Sequence, residues 1–294
     1  MAAIAIADLR PLREESPARR AWRRLLKRRG AVFGLLMVVF FIALALLAPW
    51  ISPYDPLATS WSSIRKAPSM QHWFGTDDIG RDVLARVIWG ARASLSAGVI
   101  SVSIALSVGV PLGIAAGYMG GTVDMVISRL TDAMLACPFL ILAIALAAFL
   151  GPNLTNAMIA IGIAATPIFI RLTRGQVLAV KVEDFVEAAR AVGNPHIRIA
   201  LRHILPNVVP PLIVQATLAI AAAVIAEASL SFLGLGVTEP TPSWGLMLSG
   251  SAADFYQQAP WMIVFPGIAI SLGVFAFNLF GDSLRDWLDP KIKL

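Results

Sequence analysis

The sequence predicts an all-α membrane protein with six transmembrane helices. Of the 294 residues, 57% are hydrophobic and only 14% are charged, whereas soluble domains are about 25% charged. The apolar residues also fall in runs of roughly 18–25, which is enough for a helix to cross about 30 Å of hydrocarbon. Most of the chain is therefore expected to lie in lipid rather than in water.

The chain starts with a basic segment, residues 1–30, and the first predicted span covers residues 31–50. A signal peptide is the alternative, because a basic start precedes an apolar run and Ala43-Leu44-Ala45 has a passable cleavage pattern. A signal core is only about 7–15 residues long, and its basic region is short. We therefore predict that the first helix is retained.

An external segment, residues 51–93, separates the first span from a core at residues 94–280. The core contains five further predicted spans, at residues 94–118, 133–150, 155–170, 208–235 and 261–280. A long polar loop at residues 171–207 follows the fourth span, and an external loop at residues 236–260 follows the fifth. Residues 281–294 form the C-terminal tail.

The positive charges are distributed unequally between the two sides of this topology. With both termini inside, the internal segments hold 19 Lys and Arg residues and the external segments hold five. Such a bias marks the cytoplasmic side, so both termini are predicted to be cytoplasmic. The net charge of +6 then reflects a membrane surface rather than a nucleic-acid partner, and the single cysteine, Cys137, excludes a disulfide within the chain.

Small residues and prolines modify the spans. Gly109, Gly113 and Gly117 are four residues apart and share one helix face, which predicts close packing against another helix. Proline interrupts several spans, at Pro111, Pro138, Pro167 and Pro266. These prolines mark either ordinary kinks or hinges of a moving bundle.

The polar loop contains an amphipathic segment. Phe185, Ala188, Ala189 and Val192 form an apolar stripe at helical spacing, and Gly193 then ends the helix. A second short helix is predicted at residues 196–204. Such a pair either docks into the groove of a partner, as amphipathic helices do, or packs on its own bundle.

Residues 183–207 resemble the "EAA" loop of bacterial ABC-importer permeases, through Glu187-Ala188-Ala189, Gly193 and the Ile-Leu-Pro-Asn stretch at residues 204–207. The resemblance implies a type I ABC-importer permease bundle whose coupling helix sits in a cleft of an ATP-binding subunit. Glu187, Ala188, Ala189 and Gly193 would then form the coupling contact. The chain has no GxxxxGK[ST] phosphate loop, so ATP and Mg²⁺ are expected on partner subunits, with no cofactor or catalytic residue here.

Three further stretches are similar to dipeptide, oligopeptide and nickel permeases. They are FGTDDIGRD at residues 74–82, the SFLGLG and PTPSWG motifs at residues 231–245, and the ending at residues 278–290. The first stretch is similar to the C-type membrane subunit. The resemblance implies peptide import, with nickel chelate, glutathione or another small solute as alternatives, and an ion-coupled secondary transporter or a membrane scaffold as rivals.

The resemblance also implies a set of partners. They are a homologous second permease, two ATP-binding subunits and an extracytoplasmic substrate-binding protein, assembled in the inner membrane of a bacterium. No nucleic acid is expected.

Five residues of the FGTDDIGRD stretch are candidate site residues just outside the membrane, namely Gly75, Asp77, Gly80, Arg81 and Asp82. They form either a cap with glycine turns and mutually paired charges, or a contact for the binding protein or a ceiling over the pathway. For the external loop there are also two interpretations: Trp244 and Trp261 anchor at the membrane interface, or the loop receives the binding protein.

Two acidic residues lie in or beside predicted spans. Glu227 lies inside the fifth span, where a carboxylate is expensive and usually faces protein or a watery cavity. It either lines the translocation path or forms hydrogen bonds across helices that hold an outer gate. Asp132, beside the third span, is expected to pair with Arg129 or to cap the helix end.

Overall fold

The computed structural model describes residues 29–288, so residues 1–28 of the predicted basic segment and residues 289–294 of the predicted tail lie outside the described residues. This part of the chain is helical. Its helices are α1 (Arg29–Ile51), α2 (Val83–Met119), α3 (Gly121–Leu135), α4 (Phe139–Leu150), α5 (Leu154–Val180), α6 (Asp184–Ala191), α7 (His196–Phe232), α8 (Ser251–Asp254) and α9 (Trp261–Leu288).

The helix lengths fit a membrane protein. Five helices, α1, α2, α5, α7 and α9, are long and apolar enough to cross a bilayer, and α3 with α4 makes a sixth span if the bent pair is counted as one. The predicted all-α membrane fold class is thus confirmed. The side on which each terminus lies stays a prediction.

The third span is broken, whereas the sequence predicted one helix at residues 133–150. Helices α3 and α4 are bent by 92° relative to each other, and the break falls at Ala136–Pro138. Pro138 has no amide N–H to donate, and its ring disfavours helical geometry at the preceding Cys137. The helix therefore ends at Leu135 and restarts at Phe139.

Helix α2 begins at Val83, earlier than the predicted residue 94. The Asp82 carboxylate accepts a hydrogen bond from the amide N–H of Ala85 at 2.7 Å and caps the helix. The charge of Arg86 interrupted the apolar pattern, but this side chain is buried beside the carboxylates of Asp77 and Glu239. The predicted external segment therefore ends at Asp82.

Other helices also extend beyond the predicted spans. Helix α5 continues past Ile170 to Val180, and its residues Arg171 and Arg174 pair with carboxylates on α3. The separate short helix predicted at residues 196–204 is instead the start of α7, joined to it through a π-helical stretch, Ile199–Ile204. Helix α9 runs to Leu288 rather than ending at residue 280.

Helix α7 ends three residues before the predicted position. Gly234 adopts a φ of 75°, its N–H donates to the Ser231 carbonyl, and the Leu235 N–H donates to the Leu230 carbonyl at 2.8 Å. This Schellman arrangement satisfies the last carbonyls of a helix and stops it. Phe232 is thus the last residue of α7.

The glycine stripe of α2 packs against α5, as its spacing predicted. A Cβ at Gly109 would lie 2.7 Å from the Phe169 Cβ, and one at Gly113 would lie 2.5 Å from the Thr173 Cβ. Because no side chain intervenes, the two backbones approach closely. Nearer the start of α5, the Met158 carbonyl accepts a hydrogen bond from the Ser101 hydroxyl at 2.9 Å.

The buried apolar side chains form two main clusters. One joins α2, α4, α5, α6 and α7, and it includes Phe169, Ile161 and Leu230. The other joins α1, α2, α7 and α9 around Trp244, which enters from the loop between α7 and α9. Helix α2 contributes to both clusters and is the central helix of the bundle.

Candidate functional site

Helix α6 is amphipathic, and its two faces have different surroundings. Val186 and Ala189 point into the bundle and join the first cluster beside Ile199, Ile204 and Val208. Two larger apolar side chains point away from the bundle: Phe185 is 43% exposed and Val192 is 77% exposed. The predicted apolar stripe is therefore split between an anchoring face and an outward face.

The four predicted coupling residues fall on both faces of α6. Glu187, Ala188 and Gly193 are exposed, whereas Ala189 is only 5% exposed and packs inside the chain. Ala189 therefore anchors α6, whereas the other three residues lie on the exposed surface together with Phe185 and Val192. We call these five residues the α6 outer face.

Gly193 ends α6 in a Schellman motif. Its φ is 78°, its N–H donates to the Arg190 carbonyl at 2.9 Å, and the Asn194 N–H donates to the Ala189 carbonyl at 3.2 Å. Glycine adopts this left-handed conformation without the strain that a side chain brings. No atom of the described chain lies within 4 Å of a Cβ built there, so the surface at Gly193 is open.

The α6 region is tied to the C-terminal end of α2 by side-chain contacts that the sequence analysis missed. The Lys181 ammonium donates to the Gly117 carbonyl at 2.8 Å, and the Tyr118 hydroxyl lies 2.9 Å from Nδ1 of His196. The Arg190 guanidinium lies 5.9 Å from the centre of the Tyr118 ring. The residues on either side of α6, Lys181 and His196, thus contact the end of α2, and Arg190 of α6 lies over the same end.

At the other end of α2, the FGTDDIGRD stretch folds into a compact loop around Asp77. One carboxylate oxygen accepts hydrogen bonds from the amide N–H groups of Ile79 and Arg81, and the other accepts from the Arg81 Nε at 2.5 Å. Gly80 has a φ of 81°, and a Cβ there would overlap the Ser60 carbonyl. This residue must therefore be glycine for the loop to close.

Ion pairs connect this loop to the loop between α7 and α9. The Arg81 Nη1 donates to Glu239 at 2.8 Å, and Nη2 of Arg86 lies 3.6 Å from the same carboxylate. Burial lowers the pKa of Arg81, but the hydrogen bond to Glu239 and the charge of Asp77 outweigh it, and the net pKa is raised. The charged groups thus pair with one another around a cavity of about 180 Å³.

The remaining two motif residues complete the loop. The Asp82 carboxylate, besides capping α2, lies 2.8 Å from Nδ1 of His72. Gly75, with a φ of 74°, has no space for a Cβ beside the Lys66 carbonyl and the Trp261 indole. The structure thus brings all five predicted motif residues into one unit.

Trp244 lies in the core, and the prediction that it anchors at the membrane interface is wrong. The side chain is fully buried, its indole N–H donates to the Val87 carbonyl at 2.9 Å, and its ring lies edge-on to Phe41 at 5.8 Å. A buried tryptophan needs an acceptor for its N–H, and α2 provides one. The following Gly245 lies so close to the Ala228 backbone that a Cβ would overlap it.

Glu227 is fully buried beneath this inserted segment. One carboxylate oxygen accepts a hydrogen bond from the Ser231 hydroxyl at 2.7 Å, and that hydroxyl accepts from the Val237 N–H at 3.0 Å. Within the described residues, the other carboxylate oxygen has no hydrogen-bond partner. The hydroxyls of Ser94 and Ser243 are close to the carboxyl group, so Glu227 lies between α2, α7 and the loop. Its two predicted roles, in the translocation path or in an outer gate, stay predictions.

Two ion pairs join α3 to α5. Arg174 binds Asp124 through two hydrogen bonds. Arg171 donates to Asp132 at 2.7 Å, so the expected pairing of Asp132 with Arg129 is wrong. The 92° bend turns α3 so that its acidic residues face α5, an arrangement that spacing along one helix does not predict.

Two family models match the chain. The model of the binding-protein-dependent transport system inner membrane component matches residues 109–294, which include α6 and Glu227. The model of the N-terminal transmembrane domain of oligopeptide transport permease C matches residues 16–68. The chain belongs to the binding-protein-dependent transport permeases. It is thus the C-type membrane subunit of an ABC importer and not an enzyme. The two alternative classes, an ion-coupled secondary transporter and a membrane scaffold, are excluded.

Curated relatives resemble this permease over nearly its whole length. A dipeptide transport permease of Alkalihalophilus pseudofirmus is 49% identical over 95% of this chain and 91% of its own. A di/tripeptide transport permease of Pseudomonas aeruginosa is 45% identical over 95% and 93% of the two chains. A glutathione transport permease of Escherichia coli is 45% identical over 97% and 94%.

The fold of the permease is similar to that of a solved structure. The methionine ABC transporter MetNI, in inward-facing conformations, superposes with a TM-score of 0.55 and 19% identity. The match covers 69% of this permease and 97% of the other chain. At this identity the similarity establishes the fold alone, and that fold is the ABC-importer permease bundle that the "EAA" resemblance implied.

Proposed function

We propose that this permease imports di- and oligopeptides delivered by a substrate-binding protein. The observation that carries the proposal is the 49% and 45% identity, over nearly full length, to permeases named for dipeptides and for di- and tripeptides. The glutathione permeases, at 45% identity, support the alternative cargo of glutathione. Glutathione is itself a tripeptide, so both alternatives belong to one chemical class.

The proposed orientation places both termini and α6 in the cytoplasm. It is supported by the positive-inside bias of 19 against five basic residues. The loop around Asp77 and the loop that carries Trp244 then face the binding protein. Linked by Arg81 and Glu239, they present one connected surface on that side.

The α6 outer face is proposed to dock on an ATP-binding subunit. Phe185 and Val192 leave apolar surface exposed on a short helix, which is typical of an amphipathic helix that binds a partner groove. Behind it, Val186 and Ala189 hold α6 on the bundle, and Lys181 and His196, which flank α6 in the chain, contact Gly117 and Tyr118 of α2. Glu187, Ala188 and Gly193 then contact the partner directly.

The transport cycle follows from this arrangement. Two ATP-binding subunits, which hold ATP and Mg²⁺, close on nucleotide binding and displace α6. Helix α2 transmits the displacement along its length to the buried contacts of Trp244 and Glu227 at its other end. A homologous second permease completes the pathway, and ATP hydrolysis resets it.

Reconstituted complexes in proteoliposomes test both parts of the proposal. Dipeptide-loaded binding protein is expected to stimulate ATPase activity and peptide uptake. Val192→Asp should abolish that stimulation because it places a charge in the apolar contact, whereas Val192→Ala should retain most of it. Stimulation by another solute but not by peptides would refute the cargo, and full coupling in Val192→Asp would refute the role of α6.

A further inference from the structure

The two ion pairs between α3 and α5 differ in how completely their hydrogen-bonding groups are used. The Arg174 Nε and Nη2 donate to the two oxygens of Asp124, the latter at 2.7 Å, and the Ser128 hydroxyl adds a third donor at 3.0 Å. Such a bidentate pair is strong, and its two parallel hydrogen bonds fix the geometry of both side chains. It holds α3 against α5 and offers little to a ligand.

The pair of Arg171 and Asp132 is open, in the sense that most of its hydrogen-bonding groups are unused. It consists of one hydrogen bond, from Nη2 to Oδ1 at 2.7 Å, although a guanidinium has five N–H donors and a carboxylate accepts several hydrogen bonds. Within the described residues, Oδ2 of Asp132 and the other nitrogens of Arg171 form no hydrogen bond. Both side chains are well exposed, at 64% for Arg171 and 56% for Asp132.

A polar cavity adjoins this open pair. Its volume is about 250 Å³, and it lies between α3 and α5. The lining residues are Ser128, Thr131, Asp132, Ile170, Arg171 and Arg174. A ligand in this cavity would meet a positive and a negative group side by side.

The pair lies near one end of the membrane-crossing length of α5. Arg171 lies about 25 Å along α5 from Leu154, at ~1.5 Å per residue, which is near one boundary of a hydrocarbon layer about 30 Å thick. Charged side chains near the end of a span reach the interfacial water. The pair and its cavity are therefore accessible to a solute from the aqueous side.

We propose that Arg171 and Asp132 form a binding site for the charged ends of a peptide on the cytoplasmic half of the path. The free N–H groups of Arg171 bind the terminal carboxylate, and the free oxygen of Asp132 accepts from the terminal ammonium. The inference rests on the proposed peptide cargo. It assigns a zwitterionic peptide, rather than an uncharged solute, to this cavity.

Equilibrium binding of dialanine to the purified permease–ATPase complex, without the binding protein, tests the site. Arg171→Gln should weaken binding about 10-fold, as expected when a hydrogen bond between charged groups is lost. It should leave the weaker binding of dialanine amide unchanged, because the amide lacks the carboxylate. Asp132→Asn should weaken binding of dialanine but not of N-acetyl-dialanine.

Arg129→Gln is the matched control, because it removes the same charge from an exposed position on α3. Thermal melting of each complex establishes that the variant is folded, and Arg171→Lys, which retains the charge, should recover part of the affinity. Equal losses in the Arg129 and Arg171 variants would overturn the site, as would wild-type complex that binds no dialanine. If dialanine-loaded binding protein also fails to stimulate wild-type ATPase, the peptide cargo itself is wrong.

Discussion

A single methyl group at Gly113 should disrupt the interface between α2 and α5. In Gly113→Ala, the new Cβ would lie 2.5 Å from the Thr173 Cβ and 2.8 Å from the Ile170 carbonyl oxygen. Carbon atoms pack best at about 3.5–4.0 Å, so the helices must separate by about 1 Å. Because one obstacle is backbone, rotation of a side chain cannot relieve the overlap.

The magnitude follows from two opposing effects. Overpacking costs about 1–3 kcal/mol, whereas replacing glycine by alanine inside a helix gains up to about 1 kcal/mol. Gly175→Ala in α5 is the matched control, because a Cβ there has no atom within 4 Å. The gain in helix propensity is common to both variants, so the difference in their free energies of unfolding isolates the packing cost of about 1–3 kcal/mol.

Reversible unfolding of the permease in mixed detergent micelles measures this difference. Gly113→Ala should unfold at a lower denaturant concentration than Gly175→Ala. Gly113→Ala should also weaken the coupling between ATPase activity and uptake, because Lys181 binds the Gly117 carbonyl one turn along α2. Equal stability of the two variants would show that the helices are not as close as the structure places them, and the packing argument would fail.

The end of the bundle that contains Trp244 and Asp77 supports two further predictions, both checked by the same unfolding measurement. Trp244→Ala should lower the free energy of unfolding by about 3–5 kcal/mol, which is typical for the removal of a large buried side chain. Trp244→Phe should lower it by only about 1 kcal/mol, for the lost hydrogen bond to Val87. Similar losses in the two variants would mean that the ring is not buried. Asp77→Asn should cost about 1.5–3 kcal/mol because it removes a charged hydrogen bond to buried Arg81. Glu239→Gln, at a half-exposed position, should cost less than about 1 kcal/mol, and the reverse order would contradict this assignment.

The sequence alone was sufficient for the fold class and the family. Apolar runs are averages over many residues, so they survive errors at single positions. The glycine spacing on α2 also predicted the close helix packing, because 3.6-residue periodicity is local. The EAA and GTDDIGRD stretches carried the family because their residues are contiguous.

The tertiary structure decided which side of each element faces its neighbours. The sequence did not show that Ala189 points inward while Val192 points outward, since both fit one apolar stripe. Nor did it show that Trp244 fills the core, although its neighbour Gly245, which meets the Ala228 backbone, was a usable signal for close approach.

Long-range pairing is the other property that only the fold determined. Asp132 lies three residues from Arg129 and 39 from Arg171, yet it binds the distant partner because the break at Pro138 turns α3 towards α5. Arg86 likewise broke the apolar pattern without ending a helix, because carboxylates from other elements pair with this buried side chain. A sequence records which charges are present, whereas the free energy of burying each one depends on the partner that the folded chain brings to it.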